Sequence, residues 1–237
     1  MPLIDGKLRV PIWYPGESFK LCFRIYEIVC IWMTIATILS TDLLIAGLIH
    51  MMSAQMQILN YNLRNITERN SDHDLVVQEK KVQDNLRRCI RHHIAISRLI
   101  SKLEEIFSFG LFLQILGSIA AICSGGVYIV TVHKIVSLSP SSFLSLVTSI
   151  TVISLQIAMY FWAGQGLITE SDQIRDSCYM SEWYTCNVST KKIFFIVMER
   201  SKKEISFKAG NFFVFSYATF VMVIFICYGK IEEGDFF

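Results

Sequence analysis

Residues 209–229, AGNFFVFSYATFVMVIFICYG, contain no charged side chain. At a rise of about 1.5 Å per residue, a helix of this length covers about 30 Å, which is the thickness of the hydrocarbon core of a bilayer. The stretch follows directly on a basic segment, KKIFFIVMERSKKEISFK at 191–208. This succession of a charged segment and an uncharged run of spanning length is typical of an integral membrane protein.

Three further apolar runs extend the same pattern toward the N-terminus. The runs at 28–41, 106–132 and 143–169 also lack charged residues, and the whole chain is 53% hydrophobic and only 18% charged. The sequence therefore predicts an all-α fold: an integral membrane helical bundle with four transmembrane helices and a cytosolic helical anchor region.

The distribution of Lys and Arg predicts the orientation of these helices. Of the 22 basic residues, nine lie in 53–105 and seven in 170–208, so we expect both segments in the cytosol. The predicted division is an extracellular loop at 1–20, transmembrane helices at 21–52, 106–132, 143–169 and 209–229, a cytosolic loop and amphipathic helix at 53–105, an extracellular hinge at 133–142, a cytosolic anchor segment at 170–208 and an extracellular tail at 230–237. The acceptor sequences at Asn65 and Asn187 should then not be glycosylated.

Two features of the predicted helices require contacts other than lipid: a carboxylate inside the first span, and a helix that is longer than the bilayer is thick. Asp42 is a carboxylate inside the first span, so it should face protein or water; a hydrogen-bonded packing residue and a part of an ion pathway are the alternatives. No helix breaker separates the amphipathic segment from the run at 106–132. One helix over 82–132 would be more than twice as long as a bilayer is thick, so about half of it should stand in water and pack against the same chain or neighbouring subunits.

The sequence shows no chemistry that would indicate an enzyme, a metal site or a cofactor. Its seven cysteines form no C-x-x-C pair, and His92 and His93 point in different directions on a helix. No nucleophile with its base and no phosphate loop is present. We therefore expect no catalytic residue, no metal, no cofactor, no nucleic-acid partner and no cleavable signal peptide.

Several short motifs resemble one family. The motifs are Tyr179-x-x-x-Trp183-Tyr184, Lys191-Lys192, Met198-Glu199-Arg200-Ser201, Lys208-Ala209, and Ser216 with Thr219-Phe220, and they resemble the C-terminal signature of insect odorant receptors. Upstream, Asp42-Leu43, Leu48, His50, Gln55 and Leu59 resemble the fourth-helix pattern of that family. The family has seven transmembrane helices, and this chain resembles the fourth to the seventh. We therefore expect a partial gene model, a splice form or a degenerate copy.

The resemblance implies a function and a set of partners. It implies an odorant-gated, non-selective cation channel subunit in the lipid bilayer of the plasma membrane. The subunit would form a hetero-tetramer with an odorant co-receptor and bind a small volatile organic ligand. An apolar ligand would bind among helix ends on the outer side. The expected ligand-binding residues are Tyr26, Trp32, Phe143, Val147 and Thr151, and the expected pore-lining residues are Ser216, Thr219 and Val223. Ordinary helix packing is the alternative for both sets.

Other functions remain open at this stage. A truncated, non-conducting assembly subunit and a gustatory-type receptor of the same superfamily are the main alternatives. A tetraspanin-type scaffold is disfavoured, because both of its termini would be cytosolic. The basic residues of 191–208 could contact anionic lipid or form a solvated, salt-bridged subunit surface.

Overall fold

The computed structural model describes residues 20–67, 75–135, 140–210 and 213–233. Within these ranges the chain is almost entirely helical. The elements are α1 (Lys20–Arg64), α2 (Leu75–Ile135), α3 (Pro140–Met180), a 3-10 turn (Trp183–Thr185), α4 (Val188–Arg200), β1 (Lys208–Ala209), β2 (Phe213–Val214) and α5 (Tyr217–Glu233). The two strands pair antiparallel, with Lys208 opposite Val214. Nearly all of the loop predicted at 1–20, the middle of the predicted hinge and the last four residues lie outside the described ranges.

Side-chain pairs fix the directions of the long helices. α1 and α3 run parallel, because Asp42 bonds Tyr160 and, further along both helices, Asn60 bonds Glu170. α2 runs in the opposite direction: His92 pairs with Gln55 in the second half of α1, whereas Gly125 lies beside the first half of α3. The second halves of α1 and α3 therefore meet the first half of α2 at one end of the bundle. α3, the helix that forms the broadest contact with α1, also contacts α4 and α5.

About half of the buried apolar core lies at this end, in the segments predicted as cytosolic, which we call the anchor region (53–105 and 170–208). Stripes at helical spacing supply it, and its deeply buried side chains include Met56, Leu59, Leu63, Leu86, Ile174, Cys178 and Phe194. These stripes explain a difference from the sequence prediction. Helices expected to end near Met52 and Thr169 continue to Arg64 and Met180, because the additional turns bury apolar residues against each other.

The opposite end of the bundle exposes apolar surface. In the first half of α1, every residue of 22–41 except Glu27 is exposed. In the part of the chain that the structure describes, three helices are long and apolar enough to cross a membrane, over Cys22–Arg64, Val76–Thr131 and Pro140–Met180. Exposed apolar helices of this length are stable in lipid, where their backbone hydrogen bonds are satisfied internally. The single long helix expected through 82–132 is confirmed, since α2 is continuous over 61 residues.

The last apolar run differs from the prediction of a helix over all of 209–229. Helix α5 begins at Tyr217, and its apolar part, Tyr217–Gly229, is shorter than the other three candidate spans. Before it, the chain turns at Gly210, whose φ of +60° is in the left-handed region that favours glycine. A Cβ at this position would lie 2.7 Å from Cγ of Phe112. The turn and the β1–β2 pairing therefore replace two helical turns with a compact hairpin.

Candidate functional site

A buried polar cluster joins α1 to α3 inside the apolar part of the bundle. Asp42 is 7% exposed, and its two carboxylate oxygens accept hydrogen bonds from different side chains. The hydroxyl of Tyr160 donates to Oδ1 at 2.7 Å, and Nε2 of Gln156 donates to Oδ2. Both donors lie on α3, one turn apart. The hydrogen-bonded packing role expected as one alternative for Asp42 agrees with this geometry.

An aromatic cluster continues from this polar cluster to the start of α5. The ring of Tyr160 stacks on Phe215, with centroids 5.9 Å apart. Phe215 also stacks on Phe207 and meets the ring of Phe161 edge-on. Phe161 in turn lies 5.6 Å from Phe220 in the first turn of α5. Tyr160, Phe161, Phe207 and Phe215 are each at most 2% exposed, so a displacement of one ring must be accommodated by the others.

The chain before α5 is held closely against α3. We call residues 207–210 and 213–216 the α5 base. Gly164 permits the close approach, since a Cβ there would lie 2.5 Å from the carbonyl oxygen of Phe215 and closer still to its Cβ. One residue later, Oε1 of Gln165 accepts a hydrogen bond from the backbone N–H of Tyr217 at 3.1 Å. This bond satisfies one of the free N–H groups at the start of α5.

Helix α2 holds the other side of the α5 base. Oε1 of Glu104 accepts a hydrogen bond from the backbone N–H of Lys208 at 2.7 Å. The hydroxyl oxygen of Ser108 accepts one from Gly210 at 2.6 Å. The ring of Phe112 packs against that of Phe213, with centroids 5.9 Å apart. The α5 base is thus anchored to α2 and α3 together, so a relative movement of these helices changes the position at which α5 begins.

The predicted pore-lining residues are partly engaged within the chain. Ser216 precedes the first turn of α5, and its hydroxyl oxygen accepts a hydrogen bond from the N–H of Thr219 at 3.3 Å, as an N-cap does. The two hydroxyl groups lie 3.1 Å apart. Val223 is 3% exposed and belongs to the buried core. Pore lining by these three residues stays a prediction, and the burial of Val223 favours the packing alternative for that position.

The predicted ligand-binding residues lie on α1 and α3 at the end away from the anchor region. In this chain Tyr26 is 65% and Trp32 68% exposed. Phe143, Val147 and Thr151 are exposed as well, and the Thr151 hydroxyl donates to the carbonyl of Val147 at 2.8 Å. These five residues do not enclose a cavity by themselves. Their ligand-binding role stays a prediction.

Helix α4 lies in the anchor region and has a well-formed N-terminus. The side-chain oxygen of Asn187 accepts a hydrogen bond from the N–H of Thr190 at 2.8 Å, which caps the helix. The backbone N–H of Asn187 donates a hydrogen bond to the carboxylate of Glu79 on α2 at 3.0 Å. Burial raises the pKa of the neighbouring Cys186 thiol, and the Glu79 carboxylate adds to this effect. The thiol of Cys186 is therefore poorly reactive at neutral pH.

Sequence reasoning missed the residues that connect Asp42 to α5. Tyr160, Gly164 and Phe215 were not singled out, although their contacts join three helices. The one available signal was chemical: a buried carboxylate requires hydrogen-bond donors, but the apolar part of α3 also offers Ser, Thr and Trp donors besides Tyr160 and Gln156, so the sequence did not single out these two.

Comparison with known proteins agrees with this architecture. A model of the 7tm odorant receptor family matches residues 4–228. Odorant receptor 82a of Drosophila melanogaster is 23% identical over 223 residues, which are 92% of this chain and 54% of that receptor. Odorant receptor 94a of the same organism is 28% identical over 132 residues, which are 56% of this chain and 34% of the relative.

A solved structure has the same fold. The insect olfactory receptor OR5 from Machilis hrabei in complex with eugenol matches with a TM-score of 0.78 at 14% identity, over 94% of this chain and 55% of that receptor. This chain therefore spans about half the length of the receptors that it matches along most of its own length.

The apolar helices, with a buried carboxylate that joins two of them, are those of a multi-pass helical membrane protein. The chain belongs to the 7tm odorant receptor family, because the family model covers nearly all of it. This is a family of receptors and not of enzymes, and the match favours the odorant over the gustatory class.

Proposed function

We propose that this chain acts as part of an odorant-gated, non-selective cation channel subunit that assembles with a co-receptor as a hetero-tetramer in the plasma membrane. Family membership supports the receptor role. The observation that carries the coupling step is the continuous set of contacts from Asp42 through Tyr160 and Phe215 to the first turn of α5. Through it, a change in the packing of α1 against α3 would be transmitted to α5.

In the proposed orientation the anchor region is cytosolic, and the starts of α1 and α3 face outward. The two basic segments, 53–105 and 170–208, meet at one end of the bundle, which supports this assignment under the positive-inside rule. The C-terminus then lies outside, because α5 begins near the anchor region and runs parallel to α2. That direction follows from two contacts: Phe112 packs against Phe213, and, further along both helices, Cys123 lies within hydrogen-bonding distance of Cys227.

The proposed ligand site lies between the outward-facing halves of α1 and α3. Tyr26, Trp32 and Phe143 offer large aromatic surfaces that this chain leaves uncovered. Val147 and Thr151 follow Phe143 along α3 at intervals of about one turn. A small apolar ligand that binds better when α1 and α3 adopt the open-state arrangement would shift the equilibrium toward that state. Because its differential affinity is the only source of this shift, ligand potency should depend on these side chains.

The proposed pore lies along α5. Ser216 and Thr219 would place hydroxyl groups at its inner end, where they could solvate a cation. Val223 is buried in this structure, so it would reach the pore only if α5 rotates. Rotation about the anchored α5 base is a motion that the contacts with α2 and α3 could control.

Electrophysiology with a matched glycine control tests the proposal. The full chain is co-expressed with the co-receptor, and inward cation current is recorded during application of an odorant panel that includes eugenol, the ligand named for the Machilis hrabei receptor. We expect a current above that of the co-receptor alone. Gly164→Ala should reduce it because the added methyl group collides with the α5 base, and Gly117→Ala, where a Cβ meets nothing within 4 Å, should not.

Two results would contradict the proposal. One is the absence of any odorant-dependent current from a chain that reaches the cell surface and co-purifies with the co-receptor. The other is failure to co-purify at all, which would also exclude the assembly role.

A further inference from the structure

A cavity of about 370 Å³ lies in the anchor region, between α2 and α4. One face of each helix supplies its walls, since the lining residues recur at spacings of three and four. The walls and floor are formed by Leu59, Leu63, Cys89, Ile90, His93, Ile94, Ser97, Arg98, Ile174, Ile193, Ile196, Val197, Arg200 and Ser201. The volume is within the range of small-molecule sites in proteins, about 300–1,000 Å³.

The floor of the cavity is apolar and shielded from water. Leu59, Leu63 and Ile174, which come from α1 and α3, are each at most 2% exposed. Toward the mouth, Ile94 and Ile196 face each other's helices but remain 49% and 68% exposed. The exposed fraction of the lining side chains thus increases from the floor to the mouth, which suits a ligand whose apolar chain enters between α2 and α4.

The rim of the cavity is basic. Arg98 and Arg200 are exposed there, one on α2 and one on α4, and the half-buried His93 also lines the cavity. None of the lining residues is acidic. Among the described residues, neither guanidinium forms an ion pair with a carboxylate, in contrast to Arg87, Arg175 and Lys202. Two unneutralised guanidinium groups beside an apolar cavity are complementary to an anion attached to a hydrocarbon chain.

We propose that this cavity binds an amphiphilic anion, namely an acyl chain with a carboxylate or phosphate headgroup. The chain would lie on the apolar floor, and the headgroup would be bound by Arg98 and Arg200. The cavity is at the opposite end of α1 and α3 from the proposed odorant residues, so it is a second, separate ligand site.

The site is largely preformed, which lowers the cost of binding. The N-cap at Asn187 and its bond to Glu79 fix the start of α4 against α2. Phe194 of α4 is fully buried, and α4 packs against α3 as well. The ligand would therefore add a contact between α2 and α4 and restrain their relative motion.

Direct binding of dodecanoate to the full chain in phosphatidylcholine nanodiscs tests the proposal, with empty nanodiscs as the background. We expect saturable binding of dodecanoate and dodecyl phosphate and at least tenfold weaker binding of the neutral alcohol dodecanol. Arg98→Gln and Arg200→Gln should each weaken dodecanoate binding about tenfold, which corresponds to about 1.4 kcal/mol. Arg91→Gln on α2 is the matched control, because Arg91 is exposed but does not line the cavity, and it should bind as the unmodified chain does.

A cavity-filling variant, Ile90→Trp, should abolish binding of all three ligands. If Ile90→Trp unfolds, the two arginine variants still test the proposal. The side chains of Arg98 and Arg200 are exposed, so their substitution should leave the thermal unfolding temperature unchanged. Equal binding of dodecanoate and dodecanol, or unchanged binding in both arginine variants, would overturn the proposal.

Two additional arms identify the source of the anion and the effect of assembly. If phosphatidylglycerol added to the nanodisc displaces dodecanoate from the unmodified chain, a membrane lipid supplies the headgroup; if it does not, a free acyl anion is the ligand. Both results support the site. Loss of binding when the chain is assembled with the co-receptor would show that a neighbouring subunit covers the cavity, and would overturn the proposal for the channel.

Discussion

The carboxylate of Asp42 accepts two hydrogen bonds from one helix, and this arrangement predicts the effect of removing its charge. In Asp42→Leu, whose side chain is of similar size but has no acceptor, the hydroxyl of Tyr160 and the amide of Gln156 both lose the oxygen that they bind. We expect a loss of about 1–3 kcal/mol of unfolding free energy, the usual cost of an unsatisfied buried group. Thermal unfolding in nanodiscs measures it, with the exposed neighbour Thr41→Ser as the control.

A double-mutant cycle with Tyr160→Phe checks that the effect passes through this hydrogen bond. The two substitutions should be less than additive, because each removes the same interaction. Full additivity would show that Asp42 and Tyr160 stabilise the bundle independently.

Gly164 is the closest contact between α3 and the α5 base. Gly164→Ala forces the backbone of Phe215 to move, and overpacking of this kind costs about 1–3 kcal/mol. The apparent unfolding temperature should fall, whereas Gly117→Ala should leave it unchanged or raise it, since alanine is the better helix former. A Gly164→Ala variant as stable as the unmodified chain would contradict the close packing.

The raised pKa of Cys186 predicts slow alkylation. The thiolate is the reactive form, so a pKa above the ordinary value lowers the reactive fraction at neutral pH, and the rate should rise as the pH becomes alkaline. Glu79→Gln should increase the rate at neutral pH, because it removes a nearby negative charge but keeps an acceptor for Asn187. Asp84→Asn, an exposed substitution on the same helix, is the control. Peptide-resolved mass spectrometry measures the rates; equal rates for all three proteins would contradict the electrostatic contribution.

For single residues, the sequence predicted that a side chain forms hydrogen bonds better than it predicted which residues it binds. That a carboxylate at position 42 must be hydrogen-bonded follows from its apolar surroundings. Its partners could not be identified, because they lie 114 and 118 residues further along the chain. Gly164 could not be distinguished from Gly166 or Gly125 either, since only the packed structure shows which glycine meets another backbone.

Among the helices, α5 gives the sharpest test of the channel proposal. Its buried face holds Val223 and Cys227, while Thr219 is only half-buried. We expect Thr219→Cys to react with a charged thiol reagent with or without odorant. Val223→Cys should react faster when odorant is present, because rotation of α5 would expose it. Val221→Cys, which is already exposed, is the control and should show no such dependence.

Current recorded during reagent application measures these reaction rates. Protection of Val223→Cys in both states would assign that residue to packing, and protection of Thr219→Cys as well would contradict a pore along this face of α5.

Helix lengths show where a sequence pattern is informative and where it is not. Three of the four uncharged runs lie in α1, α2 and α3, the described helices that are long and apolar enough to cross a membrane, and the missing helix breaker correctly joined the two halves of α2. The run at 209–229 was misleading, since apolar residues also fill a protein core. Phe213 packs on α2 and Phe215 on α3, so these two apolar residues fill the protein core. The hairpin at Gly210 depends on contacts with Ser108 and Phe112 that no local pattern indicates.

For the whole molecule, composition and charge were sufficient for the class, whereas the arrangement of the helices came only from the structure. The segregation of basic residues into 53–105 and 170–208 corresponds to two segments that pack together at one end of the bundle. The parallel packing of α1 and α3, however, depends on side-chain complementarity over the half of α1 that begins at Asp42, which a hydropathy pattern cannot specify.

The orientation of the molecule can be tested with its own asparagines. Asn65 lies in the turn after α1, and Asn187 caps α4, so both are in the anchor region. If that region is cytosolic, neither can meet the glycosylation machinery, and endoglycosidase should not change the mobility of the unmodified chain. A third acceptor sequence, placed on a flexible spacer after Phe237, should be glycosylated because α5 carries the C-terminus to the other side. A mobility shift that disappears in Asn65→Gln or Asn187→Gln would reverse the orientation, and with it the outward position proposed for the ligand site and the cytosolic position of the cavity between α2 and α4.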